Sequence, residues 1–211
     1  MGAIVKVSPN APEGEVIARA AEVLRRGGLV AFPTETVYGL GASANSAAGE
    51  ARLVAVKRRP PDKPFTLLAA SAAQAEGYVT PSALFSRLAR RFWPGPLTIV
   101  APAREGRGNV GLRVPAHPVP LALVRELGCP IFAPSANRSG EPPCTDAQSV
   151  AEALGDEVDV ILDGGPAPGG RASTVVLVAG EELRILRPGP ISAEQLAELG
   201  ARVVSPCEGE Q

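Results

Sequence analysis

Gly27-Gly28-Leu29-Val30-Ala31-Phe32-Pro33-Thr34-Glu35-Thr36-Val37-Tyr38-Gly39-Leu40-Gly41 is the stretch whose reading decides the fold. It predicts a short buried strand over 29–32 that runs directly into a polar turn. Gly27 and Gly28 end whatever precedes it. Pro33 cannot donate to a sheet ladder, so the strand stops there. Thr34, Glu35 and Thr36 then stand at a strand's carboxyl end, before a loop with Gly39 and Gly41. In open α/β sheets ligands bind at such ends. Residues two apart in an extended segment share a face, so Thr34 and Thr36 point together. Taken alone, the stretch also fits an ordinary turn whose threonines bond neighbouring backbone.

Working outward, a helix over 13–26 precedes the stretch. Its apolar Val16, Ile17, Ala20, Val23 and Leu24 recur at helical spacing, acidic residues open it and Arg25-Arg26 close it. A strand over 3–7 begins the chain. After the stretch the pattern predicts helices over 46–58, 72–78, 82–92, 118–127, 146–154 and 192–199. Strands alternate with them over 65–69, 97–100, 110–114, 130–133 and 158–162, and 174–178 with 183–186 reads as a hairpin. The alternation indicates an α/β fold with a twisted, open, mixed β-sheet flanked by helices. Residues 1–200 are expected to form one domain, with 201–211 as a short C-terminal tail.

Composition sets the outer limits. The 211 residues are 45% hydrophobic and 20% charged, which suits a globular protein with a sizeable core. Aromatic residues are only 4%, so Ala, Val, Leu and Ile must build that core. A net charge of −1 argues against a wholesale nucleic-acid coat. No apolar run reaches bilayer length, and the start lacks a signal-peptide core, so the default expectation is cytoplasmic with no membrane contact. The cysteines are Cys129, Cys144 and Cys207, far apart and odd in number. They suggest neither a disulfide framework nor a metal-ligand pair, and Cys129 reads as a small core residue. His117 is the only histidine. It precedes Pro118 at a helix start and reads as a loop or capping residue. No nucleophile elbow, Walker loop or clean G-x-G-x-x-G is present.

The chemistry-bearing residues cluster at strand ends. Small polar pairs occur at Thr34/Thr36, Ser135/Asn137 and Ser173/Thr174, with arginines at Arg59, Arg113 and Arg187. Arg113 lies inside a short apolar strand, where burial without a partner is costly. It must be at an edge, paired to a carboxylate, or facing a ligand. Lys57-Arg58-Arg59 followed by Pro60-Pro61-Asp62-Lys63-Pro64 is the densest positive cluster. It is either a solvated helix end or a stiff loop that clamps phosphate. Hydroxyls, an amide and cations without an acid–base dyad suit the binding of a polyphosphate and a small zwitterion. Phosphoryl and nucleotidyl transfer need positioning and charge stabilisation more than covalent help.

The segment from Phe32 to Gly41 resembles the signature of the YrdC family of threonylcarbamoyl-AMP synthases. Further blocks follow in the family's order: Lys57-Arg58-Arg59-Pro60 with Lys63-Pro64, Trp93-Pro94-Gly95-Pro96-Leu97-Thr98, Val110-Gly111-Leu112-Arg113-Val114-Pro115 with His117-Pro118, Ala133-Pro134-Ser135-Ala136-Asn137, Asp163-Gly164-Gly165, Ser173-Thr174-Val175 and Arg187-Pro188-Gly189. The resemblance covers nearly the whole chain. It implies a nucleotidyltransferase that makes threonylcarbamoyl-AMP and pyrophosphate from L-threonine, bicarbonate or CO2, and ATP. It also implies a downstream partner, the transferase that modifies an adenosine beside the tRNA anticodon.

By the same resemblance, Thr36, Arg113, Ser135 and Ser173 contact threonine, with Arg113 taking its carboxylate. Arg59, Lys63, Asn109, Asn137, Thr145 and Arg187 contact ATP. Lys57 and Arg59 would stabilise charge on the phosphates. Mg²⁺ would arrive with ATP, with no metal held by the protein. Leu68 stands where some relatives carry a histidine near the threonine. The resemblance is to the short form, without the linker and second domain of longer relatives. The competing expectations are an RNA-binding module, based on the basic 57–63 segment and offering weak tRNA contact, and the related carbamoyl-transfer domain of hydrogenase maturation.

Overall fold

The computed structural model describes residues 2–58, 65–106, 108–200 and 202–204. Arg59, Lys63 and Cys207 lie outside them. The strands are β1 (Ala3–Lys6), β2 (Val30–Phe32), β3 (Gly39–Ser43), β4 (Thr66–Leu68), β5 (Leu97–Pro102), β6 (Asn109–Arg113), β7 (Ile131–Phe132), β8 (Val160–Asp163), β9 (Thr174–Ala179), β10 (Glu182–Arg187) and β11 (Arg202–Val204). The helices are α1 (Gly14–Arg25), α2 (Ala47–Lys57), α3 (Ala72–Glu76), α4 (Ala83–Phe92), α5 (Pro118–Leu127), α6 (Ala147–Leu154) and α7 (Ala193–Ala197).

Local chemistry sets the helix starts. Ser46, Ser71, Ser82, Asp146 and Ser192 each accept from the backbone N–H three residues on. His117 caps α5, its Nδ1 accepting from Val119 N at 3.2 Å, as its place before Pro118 suggested. Arg58 closes α2 in the left-handed conformation, φ 46°.

The strands form one mixed sheet in the order β1-β8-β2-β3-β7-β4-β6-β5-β9-β10-β11. Its two halves meet where β3 pairs with β7 through only Ala42–Phe132 and Ser43–Ile131. The N-terminal half is covered on both faces. α2 and α6 share a core with Leu40, Leu53, Val150 and Ile161, while α1 and α5 share another with Ile17, Leu24, Val30, Phe32 and Leu123. The C-terminal half buries one face, with Leu67, Ile99, Leu112, Val176 and Val178 packed against Phe85, Leu88 and Phe92 of α4. Each such large side chain contributes about 1.5–3 kcal/mol when fully buried.

The strand period of two then dictates the other face. Register places Leu68 beside Arg113 and Thr98 beside Val175, with Arg113 and Thr98 on neighbouring strands. The next rank holds Thr66, Gly111 and Val100. These residues floor a cleft.

Two expectations change. Residues 39–43 form β3, antiparallel to β2, rather than a loop. Gly39 and Gly41 make room for the Phe32 ring: an added Cβ would come within 3.0 and 2.7 Å of it. Glycine at these positions weakens strand patterning, which hid β3. The expected tail begins with β11, which pairs in parallel with β10.

Candidate functional site

The cleft has a volume of about 950 Å³. β4, β5, β6 and β9 supply its floor. The turn after β2 and the segment after β7 supply one wall, and Ser173 with Arg187 the far side. The site therefore lies across an uncovered sheet face, and not only at strand carboxyl ends as the sequence suggested. The wall is stitched by backbone bonds that join the halves: Leu40 N to Pro134 O at 2.9 Å and Ala136 N to Tyr38 O at 2.8 Å.

Thr34 organises the turn. Its hydroxyl donates to Val37 O at 2.7 Å and accepts from Thr36 N and Val37 N at 3.1 and 3.2 Å. A hydroxyl has one proton. In the 2.8 Å contact between the two threonines, Thr36 therefore donates. Its lone pairs accept from Arg113 Nη2 at 3.0 Å. Arg113 Nε donates to Gly95 O at 3.1 Å, and Nη2 lies 2.7 Å from Glu35 Oε1. That last contact is a close charge pair without hydrogen-bond alignment, because both Glu35 oxygens are buried and lack a hydrogen-bond donor among the described residues. Arg113 itself lines the cleft. Arg113 is thus both paired to a carboxylate and turned to the cavity.

Lys57 ends α2 and is 3% exposed. Its ammonium donates to Ser135 O at 2.8 Å, to Asn137 O, and to Asn137 Oδ1 at 2.9 Å. Asn137 Oδ1 also accepts from Ser135 Oγ, and its amide nitrogen donates to Arg138 O and Glu141 O. Lys57 and Asn137 thus lock the 135–141 segment. Ser135, whose proton serves Asn137, keeps lone pairs that can accept an N–H.

On the far side Arg187 donates to Ser173 O, and its Nη2 reaches Ser173 Oγ at 3.0 Å. A register shift in β10 between Ile185 and Arg187 brings Arg187 to the cleft. Ser173 Oγ bonds Thr98 Oγ1 at 2.9 Å. Thr98 was not singled out from sequence. Its signal is a polar residue between buried Leu97 and Ile99, meaningful only once register puts it beside Arg113.

Thr36, Lys57, Asn109, Arg113, Ser135, Asn137, Ser173 and Arg187 all line the cleft. Thr145 is not among the described lining residues. It lies just before the α6 cap Asp146, where its carbonyl accepts from Ala167 N at 2.7 Å. Leu68 is in the cleft floor and 2% exposed. Among the described residues no group of His, Cys, Asp and Glu could hold a metal ion. Burial holds the His117 imidazole below its ordinary pKa, against the opposing influence of Glu35.

The described residues thus form an α/β sheet with an open face, floored by an arginine held in place and rimmed by hydroxyls, amides and cations. The Sua5_yciO_yrdC family model, described as telomere recombination, matches residues 22–189. The chain belongs to this family. It is 42% identical over 201 residues to the threonylcarbamoyl-AMP synthase of Bacillus subtilis, covering 90% of this chain and 57% of that protein. It is also 42% identical over 192 residues to a putative threonylcarbamoyl-AMP synthase of Mycobacterium tuberculosis, covering 87% of this chain and 88% of that one. The structure of Pyrococcus abyssi Sua5 complexed with L-threonine matches with a TM-score of 0.88 at 39% identity, over 95% of this chain and 62% of that chain. The chain thus spans less than two thirds of the Bacillus and Pyrococcus proteins.

Proposed function

We propose that this chain is an L-threonylcarbamoyladenylate synthase. The amine of L-threonine adds to CO2 and loses a proton, giving a carbamate. A carbamate oxygen then attacks the α-phosphorus of ATP, the bond to the β-phosphoryl oxygen breaks, and pyrophosphate leaves. The observation that carries the reading is Arg113. A guanidinium held through Nε by Gly95 O and through Nη2 by Thr36 and Glu35 lines the cleft. That is a recognition group for a carboxylate, held in advance of binding. Relatives named for this activity, and one solved with L-threonine, agree with it.

In this reading Arg113 takes the amino-acid carboxylate, and Ser135 accepts from the nitrogen that becomes the carbamate. Thr36 acts through Arg113, because its own hydroxyl is committed within the turn. Arg187 and Asn109 face the nucleotide, and Arg59 and Lys63 are assigned to it from the sequence resemblance alone. Lys57 adds positive potential while its N–H groups hold the Ser135–Asn137 segment. The described lining residues include no carboxylate. Mg²⁺ would then be carried by the ATP phosphates, where it neutralises charge. The product would pass to a transferase acting on tRNA.

Incubation with ATP, L-threonine and bicarbonate should release pyrophosphate only when all three are present. Equal release without threonine overturns the proposal.

A further inference from the structure

β6 carries one candidate contact at each end of its cleft-facing side, Arg113 and Asn109, with Gly111 between them. Strand interiors disfavour glycine, which has no side chain to pack and loses more backbone freedom. The usual reasons for keeping one are absent here. Gly111 has no positive φ. A Cβ on it would meet Thr66 Oγ1, Thr98 Cγ2 and Val100 Cγ2, all at an ordinary 3.6 Å. By contrast, a Cβ on Gly39 or Gly41 would press on the Phe32 ring. β6 is paired on both edges, to β4 and to β5, so the glycine is not there to lend a free backbone group. What it provides is a dimple in the cleft floor.

We infer that Gly111 is a specificity-determining residue whose missing side chain seats the reacting junction of the two substrates. The inference rests on the proposed synthase reading. At about 3.4 Å per residue, Gly111 lies roughly 7 Å along the strand from Arg113 and as far from Asn109. In this reading the amino acid held at Arg113 and the nucleotide held at Asn109 meet over the stretch between them, where Gly111 lies. The dimple therefore lies under the forming O–P bond. An alanine there fits the protein but takes the space of the ligand.

Gly111→Ala separates these effects. It should fold normally, with a melting temperature equal to or above that of the wild type, because strand propensity improves. Pyrophosphate release should fall at least ~10-fold in kcat/KM, since small displacements of reacting atoms are costly. L-threonine binding without ATP, read by calorimetry, should change much less, because Arg113 is untouched. Gly111→Val should deepen the loss. Unchanged turnover in Gly111→Ala overturns the inference. So does a loss of threonine binding equal to the loss of turnover, which would place the dimple under the amino acid. An inactive wild type overturns the synthase reading instead, so the two failures are distinguishable.

Discussion

Arg113 and Glu35 are about as close as two charges come, yet the pair is incomplete. The guanidinium side chain is 8% exposed and the carboxylate side chain 17%. Glu35 has no hydrogen-bond donor among the described residues, so its contribution is charge compensation and aim. Removing one member of such a pair leaves the other charge poorly solvated. Glu35→Gln keeps the shape and deletes the charge. It should destabilise the protein by about 1–3 kcal/mol in urea unfolding. It should also raise the KM for L-threonine, because Arg113 loses one of its three restraints. Unaltered stability and KM would show that Thr36 and Gly95 suffice. The sequence announced Arg113 as a charge in an apolar strand that needed a partner. It did not announce Glu35 as that partner, because an ion pair between distant segments leaves no local signature.

At the scale of elements, α2 acts at a distance through its last residue. The family resemblance made Lys57 a group that stabilises charge on the phosphates. The buried bonds to Ser135 O, Asn137 O and Asn137 Oδ1 add a structural role. Lys57→Met should cost about 2–4 kcal/mol, since it strands carbonyl acceptors in a buried wall. Amide exchange should quicken first at Asn137 and Ser139, whose N–H groups bond within this unit. Exchange confined to other segments would refute the tether. α5 offers a second element-scale test. His117 caps it through Nδ1, and a proton placed there removes the acceptor. Its pKa is lowered by burial from 6.5, so the unfolded chain binds the proton more readily. Stability from this group is present above pH 6.5 and is lost as pH falls below it. His117→Asn keeps a capping oxygen and does not titrate. Its melting temperature should drop less than the wild type's between about pH 7.5 and pH 5.5. Helices and caps were legible because Ser46, Ser82, His117 and Ser192 carry local signals. β3 was not, because Gly39 and Gly41 answer to the Phe32 ring, a tertiary demand.

For the molecule as a whole, the alternation of strands and helices made a mixed α/β sheet legible. It could not give the strand order, which is set by which faces the helices leave uncovered. The consequence is a cleft whose floor belongs to β4, β5, β6 and β9 and whose wall belongs to segments beside the narrow β3–β7 joint. A ligand spanning floor and wall ties the halves together, and binding to the native state alone must stabilise it. At a concentration of 100 times Kd the gain is about 2.7 kcal/mol. For a chain of this length that is a rise of roughly 5–10 °C in melting temperature. L-threonine with a non-hydrolysable ATP analogue should produce that shift, and Arg113→Lys, which loses the planar fork, should abolish the threonine part of it. A shift from tRNA alone, steeply reversed by salt and with no response to either small ligand, would instead favour an RNA-binding module. The net charge of −1 and the hydroxyl-lined cavity argue for the small ligands.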